Sequence, residues 1–191
     1  QGNATISSTD KYCYADDVEN CEVFGALYQW HSVMGLPQSC DTSTVGCPIN
    51  EKMHQGICPT GWHVPTDVEW HELELAFANP ANNDNCDIAH NNGNCAPAAQ
   101  ALKSVELWNG QAGDNSSGFS GFPSGYRDAA DNQFYCSEDD ECDSAHFWTA
   151  SSPTSSARYA YQHNLYLEDQ EVHRGHYDKT SGFSLRCVKN I

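Results

Sequence analysis

The densest group of side chains able to do chemistry is an acidic cluster in the last third of the chain. Its members are Asp139, Asp140, Glu141 and Asp143. Closely spaced carboxylates supply the oxygen ligands that Ca²⁺ prefers, although this spacing does not match an EF-hand loop. The alternative is that the cluster is a solvated face that only maintains solubility. We therefore expect no cofactor other than calcium. The calcium prediction rests only on the density of carboxylates, since no known calcium-binding motif is matched.

Aromatic and polar side chains in two other segments are candidates for ligand binding. They are Trp108, Asn109, Asp114, Tyr159 and Tyr161. Flat aromatic faces stack on the apolar faces of pyranose rings. For a tryptophan the alternative is core packing, because large aromatic side chains supply much of the buried area of a domain. The set predicts a site for a glycan or a protein.

Three histidines carry the remaining candidate chemistry. His173 and His176 flank Arg174 and Gly175, and His163 on a neighbouring strand would complete a transition-metal site. The alternative is a solvated histidine face. The chain has no Gly-x-Ser-x-Gly string or other nucleophile context, so we expect that it is not an enzyme.

Ten cysteines form an even set without a metal-type Cys-x-x-Cys pair, which is typical of disulfides made in an oxidising compartment. Counting alone leaves their connectivity open. The spacing favours four short loops and one long one. The expected bridges are Cys13–Cys21, Cys40–Cys47, Cys86–Cys95, Cys136–Cys142 and Cys58–Cys187. Because every cysteine is then paired, a reactive thiol is not expected.

The net charge and the hydrophobic content exclude several classes of partner and of location for this chain. The net charge of −17 repels nucleic acid and anionic membranes. The hydrophobic fraction of 39% excludes disorder, and the apolar runs fall short of the roughly 20 residues of a membrane span. We expect an extracellular or cell-surface protein with an arm at residues 1–11 and one domain at residues 12–191.

The sequence pattern in the first half of the chain predicts helices. Apolar residues at helical spacing predict one amphipathic helix over residues 17–34, which Gly35 would end. Thr66 and Glu69 form a capping box that predicts a second helix over residues 66–78. A short third helix is expected after Pro97.

The second half of the chain reads as strands and loops. Alternating or β-rich patterns predict strands at residues 147–150, 159–167, 172–177 and 183–188. A bridge from Cys58 to Cys187 would tie the last strand to the second helix. The pattern indicates an α+β domain.

Several strings resemble a known family. They are the segment Tyr12–Gly25, CPTGWHVPTDVEW at residues 58–70, GFSGFPSGYR at residues 118–127 and GFSLRCV at residues 182–188. Together they resemble the Fibrobacter succinogenes major paralogous domain. The resemblance implies a C-type-lectin-like or formylglycine-generating-enzyme-like fold, with two main helices packed on a twisted, loop-rich antiparallel sheet. It also implies a bacterial surface or secreted protein.

The chain departs from that family at its start. Residues 1–11 lack the strand and the Trp-Met-Ala-Glu-Asn-Leu-like string with which the family commonly opens. A missing strand would expose a sheet edge that another chain can complete, and Thr5, Ile6 and Ser7 are candidates for such pairing.

Two functions follow as expectations. The first is non-catalytic adhesion to, or recognition of, a glycan or surface protein, and the alternative is a structural subunit of an extracellular filament or pilus-like assembly of copies of the chain.

Overall fold

The structure, a computed structural model, describes residues 11–50, 52–79, 81, 86–88, 95–110, 113–136 and 142–191. The helices are short. They are α1 (Val18–Phe24), α2 (Trp30–Met34), α3 (Asp67–Phe77) and α4 (Ala98–Leu102), with 3-10 turns at Tyr14–Asp16 and Gln38–Asp41. None of the helices in these ranges has the length and apolar character needed to cross a membrane.

The strands pair antiparallel. They are β1 (Lys11–Tyr12), β2 (Leu27–Tyr28), β3 (Trp62–His63), β4 (Tyr126–Arg127), β5 (Phe134–Tyr135), β6 (Ser144–Trp148), β7 (Tyr159–Tyr166), β8 (His173–Asp178) and β9 (Val188–Lys189). Among the described residues, β6, β7 and β8 form a three-stranded sheet in that order. The other strands form three pairs, β1 with β2, β3 with β9 and β4 with β5.

The single helix predicted over residues 17–34 is wrong. α1 ends at Phe24, the next residue Gly25 has a φ of 85° that suits glycine, and the chain forms β2 before α2 begins. This restart buries the Trp30 side chain completely and lets its indole Nε1 donate to the Thr149 carbonyl at 2.9 Å. The interruption therefore serves the placement of Trp30 in the core.

The capping box predicted at the start of α3 is confirmed. The Glu69 amide donates to Thr66 Oγ1 at 3.2 Å, and the Thr66 amide donates to the Glu69 carboxylate at 2.8 Å. These bonds satisfy amides that a helix start otherwise leaves unpaired. α3 then buries Trp70 and Glu74. The expected short helix after Pro97 is α4.

Three of the four predicted strands are confirmed with shifted ends. They are β6, β7 and β8. The fourth, expected over residues 183–188, is not a continuous strand. It makes isolated bridges at Phe183 and Ser184, and only Val188–Lys189 pairs regularly, with β3. This segment pairs with three different parts of the chain. Its alternating sequence pattern therefore does not come from one continuous strand in one sheet.

Both faces of the three-stranded sheet are buried. On one face Leu165 packs in a cluster with Trp70 of α3, and on the other face Trp148 packs with Trp30 of α2. Successive residues of a strand point to opposite faces, so His163 shares the face of Leu165. Polar side chains on either face must therefore find partners inside the protein.

The five disulfides are those expected from the spacing: Cys13–Cys21, Cys40–Cys47, Cys58–Cys187, Cys86–Cys95 and Cys136–Cys142. The chain is thus a mixed structure of few helices and small antiparallel sheets, held by five disulfides. Of the two main helices that the resemblance implies, α3 is present, whereas the first is divided into α1 and α2.

Candidate ligand-binding surface

Trp108, the first predicted ligand-binding residue, lies in the core. Its side chain is 1% exposed, and its Nε1 donates to the Gly121 carbonyl at 2.8 Å. The Lys103 ammonium lies 5.3 Å from the centre of its ring. This placement leaves the indole no exposed face on which a sugar could stack. Asn109 and Asp114 are exposed, and a role for them in binding stays a prediction.

Tyr159 lies in a concave site. It is half-buried at the start of β7 and lines a pocket of about 350 Å³ together with His176, Tyr177 and Asp128. The Tyr159 and His176 ring centres are 5.3 Å apart. Tyr161, two residues further along β7, instead stacks against the Arg174 guanidinium at 4.0 Å. Of the two tyrosines predicted to bind ligand, Tyr159 is the one that lines this pocket.

The polar groups of this pocket are fixed in place. Arg158 Nε donates to Asp178 Oδ2 at 2.5 Å, and Tyr177 Oη donates to Asp128 Oδ2 at 2.7 Å. Burial, together with the hydrogen bond to Asp128, raises the pKa of Tyr177, so its hydroxyl stays protonated. The pocket therefore combines tyrosine rings with an oriented ion pair.

A larger groove of about 770 Å³ lies nearby. Its lining is rich in hydroxyl groups, from Thr44, Thr66, Ser151, Ser152, Thr154 and Ser156. Charged side chains of both signs, among them Lys52, Glu69 and Glu72, also line it. Pockets of roughly 300–1,000 Å³ are the usual size for small-molecule sites.

One loop, residues 149–158 between β6 and β7, contributes to both concavities. The Ala150 amide donates to the Pro65 carbonyl at 2.8 Å, and the Asp67 amide donates to Ser151 Oγ at 3.1 Å. At its far end the Lys179 amide donates to the Arg158 carbonyl at 3.0 Å. These bonds anchor the loop to α3 and to β8. We call the loop and the two concavities beside it the loop surface.

A buried ionic network fixes α3 on the sheet beneath the loop surface. His163 Nδ1 donates to Glu74 Oε1 at 2.6 Å, and Nε2 donates to Asp67 Oδ1 at 3.1 Å. Arg174 donates to both oxygens of Asp67, at 2.7 and 2.6 Å. The Trp70 ring stacks parallel to the imidazole with centres 5.0 Å apart.

The network is arranged for a protonated histidine. Burial lowers the pKa of His163, but hydrogen bonds to Asp67 and Glu74 and their negative charges outweigh burial and raise it. Burial likewise raises the pKa of Asp67, and the hydrogen bonds from His163 and Arg174 outweigh it, so that the net shift is downward. The positive charges of His163 and Arg174 therefore balance the carboxylates of Asp67 and Glu74 inside the protein.

Sequence reasoning missed this network, although a signal was present. Glu74 lies one helical turn after Trp70, on the stripe of α3 that faces the core. His163 alternates with Leu165 on a buried face of β7. A charged or polar residue on an apolar stripe requires a partner inside the protein, but the sequence does not say which.

A second polar cluster lies on the opposite face of the sheet. His146, Gln162 and Asn164 are nearly fully buried. Among the described residues, both ring nitrogens of His146, Gln162 Oε1 and Asn164 Oδ1 lack a hydrogen bond of normal geometry. Burial lowers the pKa of His146 to about 3, and the nearby Gln162 and Asn164 oppose that shift only in part. The imidazole is therefore neutral.

The three histidines proposed for a metal do not come together. His163 is held by carboxylates on one face of β7. His173 pairs across the strands with Asn164, on the other face. His176 lies beside Tyr159 and Tyr161. The strand register therefore separates His173 from His163, and this combination is wrong as a site.

Two sets of predicted residues fall largely outside the described ranges. They are Asp139, Asp140 and Glu141 of the acidic cluster, and Thr5, Ile6 and Ser7 of the arm. Asp143 is described and half-buried, and its carbonyl accepts from the Leu167 amide at 2.7 Å. Calcium binding and strand pairing by these sets stay predictions.

Comparison with known proteins gives one match. The family model described as the Fibrobacter succinogenes major domain matches residues 2–189. No curated protein and no solved structure matches the chain.

Proposed function

The chain belongs to the Fibrobacter succinogenes major domain family, and on this premise we propose that it is a non-catalytic recognition module. Its five disulfides indicate an oxidising environment. We place it outside the cell or on the cell surface, with a C-type-lectin-like arrangement of its helices and sheets.

The observation that carries this proposal is the loop surface. A loop anchored at both ends contributes residues to a pocket of about 350 Å³ and to a groove of about 770 Å³. Binding residues commonly lie on loops that a rigid scaffold positions. Here the scaffold is the three-stranded sheet, which the His163 network ties to α3.

The chemistry of the loop surface suits a glycan or a polar segment of a surface protein. Tyr159 presents an aromatic face beside the paired charges of Arg158 and Asp178. The groove adds hydroxyl groups, which both donate and accept hydrogen bonds. A ligand with many hydroxyl or amide groups would match both concavities.

A binding screen with matched variants tests this function. Fluorescently labelled, fully oxidised chain would be applied to arrays of glycans and of bacterial and host surface proteins. We expect ligands whose binding Tyr159→Ala weakens at least about tenfold, as the loss of a central aromatic contact does. The control is Trp62→Ala, which removes an aromatic ring that is 39% exposed on β3 and lines neither concavity. Equal binding by wild type and Tyr159→Ala would contradict the assignment.

A second candidate function, a subunit of a filament or pilus-like assembly, is favoured by β8. This strand pairs with β7 on one side and with no other strand of the described residues on its outer side. It carries neither proline nor lysine, the residues that commonly protect an edge. An added strand from another copy, with Thr5, Ile6 and Ser7 as the candidate segment, would complete the sheet.

Electron microscopy of the chain with and without residues 1–10 tests the second candidate. Filaments that form with the full chain and disappear on truncation support strand addition. Filaments that persist after truncation exclude residues 1–10 as the added strand. Dispersed particles in both samples oppose the filament function and leave recognition.

A further inference from the structure

The hairpin loop between β7 and β8, at the end of the sheet opposite the loop surface, gathers three metal-ligating side chains. They are Asp169, Glu171 and His173. One ligand atom from each lies within 4.8 Å of the others. His173 Nε2 and Asp169 Oδ2 are already 2.6 Å apart. All three residues are half-buried, so the group is accessible from solvent.

The backbone of this loop is held from inside the protein. Lys103 Nζ donates to the carbonyls of Leu167 and Asp169, each at 2.8 Å. The Ala99 amide donates to the Gln170 carbonyl at 3.1 Å. Val172 is fully buried. Because the main chain is fixed, the three side chains need only small rotations to converge on one point.

The two carboxylates are only partly compensated by a cation, because the charge of Lys103 acts on Asp169 without forming a salt bridge. Within the described ranges, no lysine or arginine forms a salt bridge with Asp169 or Glu171. The nearby ammonium of Lys103 points to backbone carbonyls instead. In a chain with a net charge of −17, this leaves two adjacent anions and one histidine facing solvent. A bound dication would neutralise them.

A buried amide side chain, that of Asn164, projects from the strand beside His173. Asn164 is 6% exposed, and its Oδ1 makes no hydrogen bond of normal geometry within the described part of the chain, although its side chain lies near the His146 ring. It is the direct cross-strand neighbour of His173, so both side chains project from the same face. Its Nδ2 donates to Tyr166 Oη at 3.2 Å, and the Tyr166 ring centre lies 4.9 Å from that of His173. A buried amide oxygen without a well-formed hydrogen bond can take an ion or a water as its partner.

We propose that Asp169, Glu171 and His173 bind a divalent transition-metal ion of the zinc class. An imidazole nitrogen with two carboxylates suits Zn²⁺, Mn²⁺ or Ni²⁺, whereas Ca²⁺ prefers oxygen ligands alone. The ion replaces the hydrogen bond between His173 and Asp169: the proton on Nε2 leaves to solvent, or the ring changes to its Nδ1–H tautomer, and either change frees the Nε2 lone pair for the metal. Three protein ligands leave coordination positions for Asn164 Oδ1, for water or for an anionic group of a partner.

Isothermal titration of the oxidised, EDTA-dialysed full chain with ZnCl₂, and separately with CaCl₂, tests the site. We expect one zinc ion per chain and zinc binding stronger than calcium binding. Asp169→Asn and His173→Gln should each weaken zinc binding by at least about tenfold, since each removes a direct ligand. The fold should survive, because both side chains are partly exposed.

The matched control is His176→Gln, a histidine on the same strand outside the group. It should bind zinc as wild type does. Absence of zinc binding at millimolar concentration would overturn the proposal. So would equal affinity in His173→Gln and wild type, or stoichiometric binding that only His176→Gln abolishes.

Discussion

His163 on β7 and Glu74 on α3 form a fully buried hydrogen-bonded pair, with Nδ1 and Oε1 2.6 Å apart. The residues are 89 positions apart in the chain, and their contact fixes the main helix on the central strand. Asp67 and Arg174 complete the balance of charge. Removing one member of such a group leaves an uncompensated charge in a buried region.

Because of this pair, the stability of the fold should decrease as the pH rises. Because the folded pKa of His163 is raised above 6.5, its contribution is fully present below pH 6.5 and is lost as pH rises through the folded pKa. Glu74→Gln should lower the free energy of unfolding by about 1.5–3 kcal/mol at neutral pH. It should also lower the pKa of His163, measured by NMR titration of the ring. The control is the exposed Glu72→Gln; an unchanged pKa in Glu74→Gln would contradict the network.

His146 should make the free energy of unfolding fall as the pH becomes acidic, whereas His163 makes it fall as the pH rises. Its folded pKa is about 3 against 6.5 unfolded, so the unfolded state binds the proton first and stability falls as pH drops below 6.5. The loss amounts to about 1.7 kcal/mol between pH 6.5 and pH 5. His146→Phe, beside Tyr126 and Phe183, should flatten the slope of unfolding free energy over this range. An unchanged slope, by urea unfolding at several pH values, would show that His146 does not cause it.

The disulfides should differ in their effect on stability according to loop length. Cys58–Cys187 closes a separation of 129 residues, whereas Cys13–Cys21 closes 8. Chain entropy predicts a loss of about 5 kcal/mol when both cysteines of the long bridge become alanine, and about 2.5 kcal/mol for the short one. Urea unfolding without reductant measures both. Equal losses would mean that loop entropy does not govern their contributions.

Substitutions at two glycines distinguish the cost of steric overlap from the cost of backbone strain. A Cβ on Gly56, at φ +53°, would lie 2.1 Å from the Val33 carbonyl oxygen. A Cβ on Gly61, at φ +84°, would meet no heavy atom within 4 Å. Gly61→Ala should therefore cost about 1–2 kcal/mol, and Gly56→Ala about 3–5 kcal/mol. Thermal or urea unfolding compares them, and similar costs would contradict the close approach of Gly56 to Val33.

Local signals predicted much of the fold. The capping box at Thr66 and Glu69 marks the start of α3, and alternation marks β7. The cysteine spacing predicted all five bridges, because short polar loops bring neighbouring cysteines together. The break at Gly25 was not predicted, because helical periodicity continues across it while the burial of Trp30 depends on Thr149, far away in sequence.

The candidate site was less accessible to sequence reasoning. Tyr159 was predicted and lines a pocket, whereas Trp108 was predicted and lies in the core. Both are aromatic residues in polar surroundings, and only the tertiary structure shows which ring is covered. The partners of His163 and the side chains around His173 likewise depend on strand register, which one sequence does not specify.

Mapping a bound ligand by NMR tests the central claim, recognition at the loop surface, most directly. The spectrum of amide resonances would be recorded for ¹⁵N-labelled chain with the strongest glycan or protein-derived peptide from the arrays. We predict that the largest shifts fall on residues 149–158, Tyr159 and His176, and that Tyr159→Ala reduces them. Binding that shifts other surfaces and leaves residues 149–159 unchanged would contradict the account, as would arrays on which the oxidised chain binds nothing.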